Sequence, residues 1–199
     1  MRPDRFLPQT WFDARLAPAP SAIHGTGLFA TAAFDAGEVL MVWGGSVWTR
    51  AQLDAGEVPR CSFSFVDEDV LLAAPRDGLD YFVNHSCDPS AWTTDEVTVV
   101  ARRAIPAGVE VTGDYALWEA EDEYLIAACA CGSESCRSMI RGSDWRRPEL
   151  QERYSGHFLP YIEQRFRSAK HDAGGGRARP HFEEPFPAPS SWLAGLRPE

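Results

Sequence analysis

The sequence predicts a mainly β domain with a short helical insert and a C-terminal helix. Three observations lead there. Between Ile23 and Tyr115 the chain is a series of short apolar runs rich in Val, Phe and Trp, punctuated by Gly and Pro turns. Within that series Thr49, followed three residues later by Gln52, forms a capping box and marks one helix over Thr49 to Glu57. After it, Leu150, Tyr154, Phe158, Tyr161, Ile162 and Phe166 recur near helical spacing. With 199 residues, 44% hydrophobic content and seven tryptophans, the chain can bury a core for one domain but hardly two.

In chain order, residues 1–21 read as irregular, because Pro3, Pro8, Pro18 and Pro20 interrupt any period. "GTGLFATAAF" and "VLMVWGGSVW", an apolar run read as ending on its glycine pair, read as two strands joined at Asp35 to Gly37. "CSFSFV" and "VLLAAP", separated by the acidic "DEDV", read as a hairpin. "EVTVVARRAIPAGVEVTGDY" reads as strand, turn at Pro106 to Gly108, strand. Pro148 suits the first turn of the C-terminal helix, with a break or kink expected at Gly156 and Pro160. The Gly- and Pro-rich stretch beyond Lys170 reads as a flexible tail.

The formal net charge of −10 argues against a protein that grips phosphate backbones, and favours a basic partner over nucleic acid. No run approaches the ~20 apolar residues needed to cross a bilayer, and the N-terminus lacks a signal-peptide core, so a cytoplasmic, membrane-free setting is the expectation. Lys170 is the only lysine against 18 arginines, a bias that with much Ala, Pro and Gly suggests a GC-rich bacterial genome. The acidic runs Asp67 to Asp69 and Glu119 to Glu123 read as solvated faces.

Three of the five cysteines form C-x-C-x4-C in "CACGSESC", and a fourth, Cys87, lies upstream in "NHSCDP". Four thiolates suit a tetrahedral metal site. The C-x-C spacing is tighter than that of zinc fingers, so spacing alone leaves free thiols or a redox pair open. Cys61, in the apolar "CSFSF", reads as a buried inert thiol. His24, His171 and His181 show no ligand spacing.

Four segments in order resemble the signatures of SET-domain protein-lysine methyltransferases of bacterial type. They are "HGTGLFA" (a GxG strand), "WGG" (where the family has YxGE), "YFVNHSCDP" (R-F-x-N-H-S-C-x-P) and "EVTGDY" (E-L-x-x-D-Y). "ACACGSESCRSMI" then resembles the zinc-binding post-SET element. The resemblance implies a β-clip-like fold of small curled sheets in which the NHSC and E-x-T-x-D-Y segments cross as a pseudoknot. It divides the chain into an irregular N-terminal segment (1–21), a SET domain (22–118), a post-SET zinc segment (119–145), a C-terminal helix (146–168) and a tail (169–199).

The same resemblance implies S-adenosylmethionine bound along Thr26, Gly27 and Leu28, by Asn84 and His85, beside Tyr115, with Met139 or Ile140 over the adenine. One structural zinc would be held by Cys87, Cys129, Cys131 and Cys136. Tyr115 would be catalytic, orienting a lysine amine that a narrow apolar channel has desolvated and neutralised. Trp43, Tyr81 and Phe82 would wall that channel. The family pattern differs at three positions: Trp43 stands in the place of a tyrosine, Ser90 in that of an asparagine, and Gly113 in that of a Phe or Tyr. The missing side chain at Gly113 is expected to leave room for a methylated amine to turn. The implied protein is a monomer or weak dimer acting on a lysine in a basic protein. A non-catalytic SET-fold binding module, or a methyltransferase for a non-protein amine, are the alternatives.

Overall fold

The structure, a computed structural model, describes residues 6–59, 62–75 and 78–174. Its strands in chain order are β1 (Trp11–Phe12), β2 (Leu16–Pro20), β3 (Thr26–Ala30), β4 (Val39–Val42), β5 (Ser46–Thr49), β6 (Ser62–Asp67) and β7 (Val70–Ala74). They continue with β8 (Asn84–His85), β9 (Ala91–Thr93), β10 (Thr98–Ala101), β11 (Glu110–Gly113), β12 (Leu125–Ile126) and β13 (Ile140–Arg141). The helices are α1 (Arg50–Asp54), α2 (Pro148–Arg153) and α3 (Pro160–Gly174), with 3-10 turns at Leu79–Phe82, Tyr115–Leu117 and Asp144–Arg146. The fold is therefore mainly β, with a small helical insert and C-terminal helices. No described helix is long and apolar enough to cross a membrane.

The largest sheet runs in the order β1-β4-β10-β9-β11-β3-β2, with β8 also paired to β11. Residues 1–21 are thus not irregular throughout, because β2 pairs antiparallel with β3 from Leu16↔Ala30 to Pro20↔Thr26. Pro18 and Pro20 are tolerated because β2 is an edge strand, where a missing N–H leaves no partner unsatisfied. The apolar run after Val39 does not end at the glycine pair but is split by it, since β4 belongs to the large sheet and β5 to a second sheet, β5-β7-β6. Gly44 and Gly45 are required there. A Cβ on Gly44 would overlap the backbone of Leu7 and Gln9, and one on Gly45, at φ +144°, the carbonyl of Ala73.

In the second sheet, β6 and β7 form the expected hairpin, and Thr49 caps α1 through the expected reciprocal bonds with Gln52. Cys61 and the 175–199 part of the tail lie outside the described residues. The centre of this sheet, β7, is buried on both faces, and its alternation divides two parts of the core. Val70 and Leu72 pack with Val66, while Leu71 and Ala73 pack with Phe65 and the C-terminal helices. Those helices are broken where expected. Gly156 takes φ +82°, Leu159 N–H donates to Leu117 O at 2.9 Å, and Pro160 opens α3, which continues past residue 168. Leu150, Tyr154, Phe158, Leu159, Tyr161 and Ile162 are all buried against Leu117 and Ala120. Each such side chain contributes about 1.5–3 kcal/mol of burial, which holds the C-terminal helices onto the end of β11.

Candidate active site

The chain's motifs converge around β11. Parallel pairing sets Thr112 opposite Asn84 and Gly113 opposite His85, and Ser86 N–H donates to Gly113 O at 2.8 Å. Ser90 is fully used: its Oγ accepts from Thr112 N–H at 2.9 Å and reaches Glu110 O at 3.4 Å. At the end of β11 the buried Asp114 caps the 3-10 turn Tyr115–Leu117 by accepting from Ala116 N–H at 3.1 Å. The next side chain, Tyr115, donates its hydroxyl proton to Val83 O at 2.9 Å. Burial pushes the Tyr115 hydroxyl up from its ordinary pKa, so it stays neutral. With its proton committed to Val83, the oxygen is left as an acceptor for a donor arriving from outside.

Rings surround Tyr115. Its centroid lies 5.2 Å from His85, 5.9 Å from Trp118 and 6.0 Å from Tyr124, and Trp118 meets Trp43 edge-on at 5.4 Å. Trp43 packs against all three parts of the core and Trp118 against two, so these half-buried indoles sit at the seam between them. Tyr81 and Phe82 form a further edge-on pair at 5.9 Å on the 3-10 turn before β8, with Tyr81 exposed. The space expected beside Gly113 is not open. A Cβ there would overlap Cη2 and Cζ2 of Trp118, whose indole fills that position.

On the other side of β11, β3 carries the GxG segment. Gly25 adopts φ +47° with nothing within 4 Å of where its Cβ would lie. The bare Gly27 lets the Glu110 carboxylate lie against β3, where a Cβ would overlap it. That carboxylate accepts from Ser21 Oγ at 2.9 Å and from Asn84 Nδ2 at 2.8 Å. Asn84 Nδ2 also donates to His24 O at 3.1 Å and Thr26 O at 3.3 Å, and no described residue donates to its Oδ1. An acceptor oxygen next to an open glycine strand suits a charged amino group. Thr26 is exposed, the Leu28 side chain is in the core, Ile140 is buried in β13 and Met139 is exposed beside it.

The four cysteines also come together, with the sulfurs of Cys87, Cys129, Cys131 and Cys136 all within 4.8 Å of one another. A tetrahedral zinc with bonds of about 2.3 Å would space its sulfurs by about 3.8 Å, so the cluster fits after a small contraction. Backbone N–H groups of Arg137 and Ser138 point at Cys87 and Cys136 at 3.3 and 3.4 Å. Burial pushes the Cys87 thiol up and Cys129 to about 11, so thiolates at those two positions need a cation. At Cys131 burial acts the same way, but hydrogen bonds from the Cys87 backbone and Ser133 outweigh it and draw the thiol down to about 6.

Two buried links join this cluster to Tyr115. His85, whose pKa burial lowers to about 4, is neutral. Its Nδ1 accepts from Tyr115 N–H at 3.2 Å, which leaves the proton on Nε2, 3.3 Å from Cys87 Sγ. Arg137, one residue after Cys136, makes a bidentate pair with Asp114 at 2.6 and 2.7 Å and reaches Asp144 at 3.0 Å. Tyr154 of the C-terminal region adds a hydroxyl bond to Asp114 at 3.1 Å.

Trp118, Tyr124, Arg137 and Asp114 carry none of the roles assigned from sequence, because their meaning lies in pairings across the fold. The acidic runs are likewise not simply solvated. Glu68 pairs with Arg165, Glu121 with Arg50 at 2.9 Å, and Glu119 is half-buried with its N–H on Tyr115 O at 2.7 Å.

The SET domain family model matches residues 25–116. Histone-lysine N-methyltransferase 2B of Homo sapiens is 31% identical over 60% of this chain and 5% of its own length. The histone-lysine N-methyltransferase trithorax of Drosophila melanogaster is 30% identical over 60% of this chain and 4% of its own. A histone H3-lysine(4) N-trimethyltransferase of Arabidopsis thaliana is 26% identical over 70% of this chain and 14% of its own. This chain therefore spans only a small part of these relatives. Residues 25–116 are thus similar to a SET domain. More particularly, the chain is similar to part of these histone-lysine N-methyltransferases, and its four-cysteine cluster joins Cys87, inside the matched stretch, to Cys129, Cys131 and Cys136 beyond it.

Glu119 offers a test of how dry the surroundings of Tyr115 are, since burial pushes its carboxyl up to about 7. A folded-state pKa above the unfolded value means that the fold holds a proton there. Stability is then fullest at low pH and is lost as pH rises from about 4.5 through 7. Glu119→Gln keeps the shape without the charge. Its Tm is expected to exceed that of the wild type by roughly a few degrees at pH 8 and by little at pH 5, measured by thermal unfolding across that range. A difference independent of pH would mean that the carboxylate is solvated.

Proposed function

We propose that the protein is a lysine methyltransferase that moves the methyl group of S-adenosylmethionine to the side-chain amine of a lysine in a basic protein. The observation that carries this reading is Tyr115, a neutral hydroxyl whose proton is held by Val83 O and whose free lone pairs lie among the rings of Trp118, Tyr124 and His85. Bound S-adenosylmethionine supplies an electrophilic methyl group, which an amine takes by in-line displacement. The chain's part is to present that amine neutral and aligned. A lysine ammonium entering between the rings loses hydration, which favours its neutral form over the ordinary pKa near about 10.4. Tyr115 Oη then accepts an N–H of the amine and turns its lone pair toward the methyl group.

Gly25, Gly27, Asn84 and His85 are the residues that would hold the cofactor, with Thr26 and Leu28 contributing backbone and Met139 or Ile140 lying over the adenine. The open space at Gly25 and Asn84 Oδ1, to which no described residue donates, support this assignment. Trp43, Tyr81 and Phe82 would line the approach of the substrate. A protein acceptor is supported by the relatives, which are named for histone lysines, and a basic one by the net charge of −10. The four-thiol cluster is read as a structural zinc site that ties the segment around residues 129–136 to Cys87.

Elemental analysis of purified protein is expected to find close to one zinc per chain. Its loss in a Cys131→Ser or Cys136→Ser variant should be accompanied by a lower Tm. Metal-free protein that stays folded, with Cys87, Cys129, Cys131 and Cys136 all titratable, would contradict the zinc assignment.

The catalytic reading is tested by Tyr115→Phe, which keeps the ring and removes the hydroxyl. Turnover on a lysine-containing histone peptide is expected to fall by about 10²- to 10⁴-fold, more than substrate or cofactor affinity. Losing the bond to Val83 should cost only about 1 kcal/mol of stability. Wild-type rates in Tyr115→Phe would remove Tyr115 from the mechanism. An inactive wild type would leave a zinc-stabilised binding module.

A further inference from the structure

Gly113 and Trp118 share one volume. The strand position of Gly113 is set on both sides by pairing with His85 and Ala91, so its backbone cannot withdraw. The indole cannot withdraw easily either. It meets Trp43 edge-on at 5.4 Å, lies 5.9 Å from the Tyr115 ring at a 43° tilt, and packs against two parts of the core. A Cβ on Gly113 would overlap the ring atoms Cη2 and Cζ2 directly. The glycine therefore admits a side chain from five residues further along the chain, and does not enlarge the site.

Resting on the lysine methyltransferase reading, we infer that Trp118 closes the amine end of the site and limits the protein to adding a single methyl group. The limit is steric. An amine that already carries a methyl group must turn about its own axis to bring the lone pair round again while keeping an N–H on Tyr115 Oη. Each methyl group sweeps the space beside Tyr115 as it turns. A flexible side chain in that space could yield, but an indole wedged between Gly113 and Trp43 cannot without displacing core residues. Trp43 enters as the second wall, bracing Trp118 from the far side.

The test moves the bulk from one position to the other. Gly113→Phe alone overpacks the site and is expected to lower Tm by roughly 5 °C or more, and Trp118→Ala alone lowers it by leaving a cavity. The double variant Gly113→Phe, Trp118→Ala should recover much of both losses, the non-additivity expected of residues that share a volume. Thermal unfolding reads this without any activity. Additive losses in the double variant would overturn the shared volume, and the inference with it.

Product mass spectra on a lysine-containing histone H3 peptide then read the consequence. Wild type should stop at monomethyl-lysine, Trp118→Ala should continue to di- and trimethyl-lysine, and the double variant should return toward monomethylation. Trp118→Phe, which retains a ring, is the variant to use if the alanine does not fold, and it should give an intermediate distribution. Methyl transfer with a distribution that none of these changes alters would overturn the role of Trp118 alone. No transfer by any variant, wild type included, would overturn both that role and the methyltransferase reading.

Discussion

The carboxylate of Asp114 is the point on which the arrangement depends. It is fully buried, and no part of the fold could tolerate it as a lone charge. Arg137 answers it with two hydrogen bonds, Tyr154 with one and the backbone of Ala116 with another. Those partners come from the cysteine segment, the C-terminal region and the 3-10 turn that carries Tyr115. A single charge thus obliges three distant segments to meet beside the tyrosine. Replacing a pair of this kind by apolar groups can be neutral, but breaking it from one side costs about 3–5 kcal/mol, which makes it a register-setting device more than a source of stability.

The cysteine cluster adds a second hold on the same place. His85 stands between Cys87 Sγ and the Tyr115 backbone; burial keeps it neutral, and those two contacts fix its tautomer. Arg137 is attached to the cluster by sequence, and its own N–H points at Cys87. Filling the cluster with a cation would therefore order the residues that fix Tyr115. The aromatic seam works in parallel. Trp43 and Trp118 close the gap between two parts of the core, and Trp118 does so beside the Tyr115 ring.

What could be read from the sequence followed from local chemistry. The capping box at Thr49 and Gln52, the hairpin of β6 and β7, and the break at Gly156 and Pro160 each depend on residues within a few positions of one another. The four cysteines were found by spacing and resemblance together, and their sulfurs do meet. Strand β2 was hidden because its prolines are permitted only by its place at a sheet edge, which a linear reading does not reveal. Gly113 was read as an absence, whereas its significance comes from Trp118, and nothing in the spacing of the two tells that the indole folds back over the glycine. Asp114 and Arg137 are 23 residues apart, and each alone is an ordinary surface-type residue. Buried ion pairs and shared volumes belong to the tertiary fold, and they carry most of what distinguishes this site.

The most direct test of this account is a double-mutant cycle on Arg137→Met and Asp114→Asn, followed by denaturant unfolding. Arg137→Met alone should cost about 3–5 kcal/mol, because it leaves the Asp114 charge buried without its partner. Adding Asp114→Asn to it should restore a substantial part of that loss, with a coupling energy well above about 0.5 kcal/mol. If Arg137→Met costs no more than about 1 kcal/mol, as an exposed pair would, and the two losses simply add, then Asp114 is not the point that holds the three segments around Tyr115.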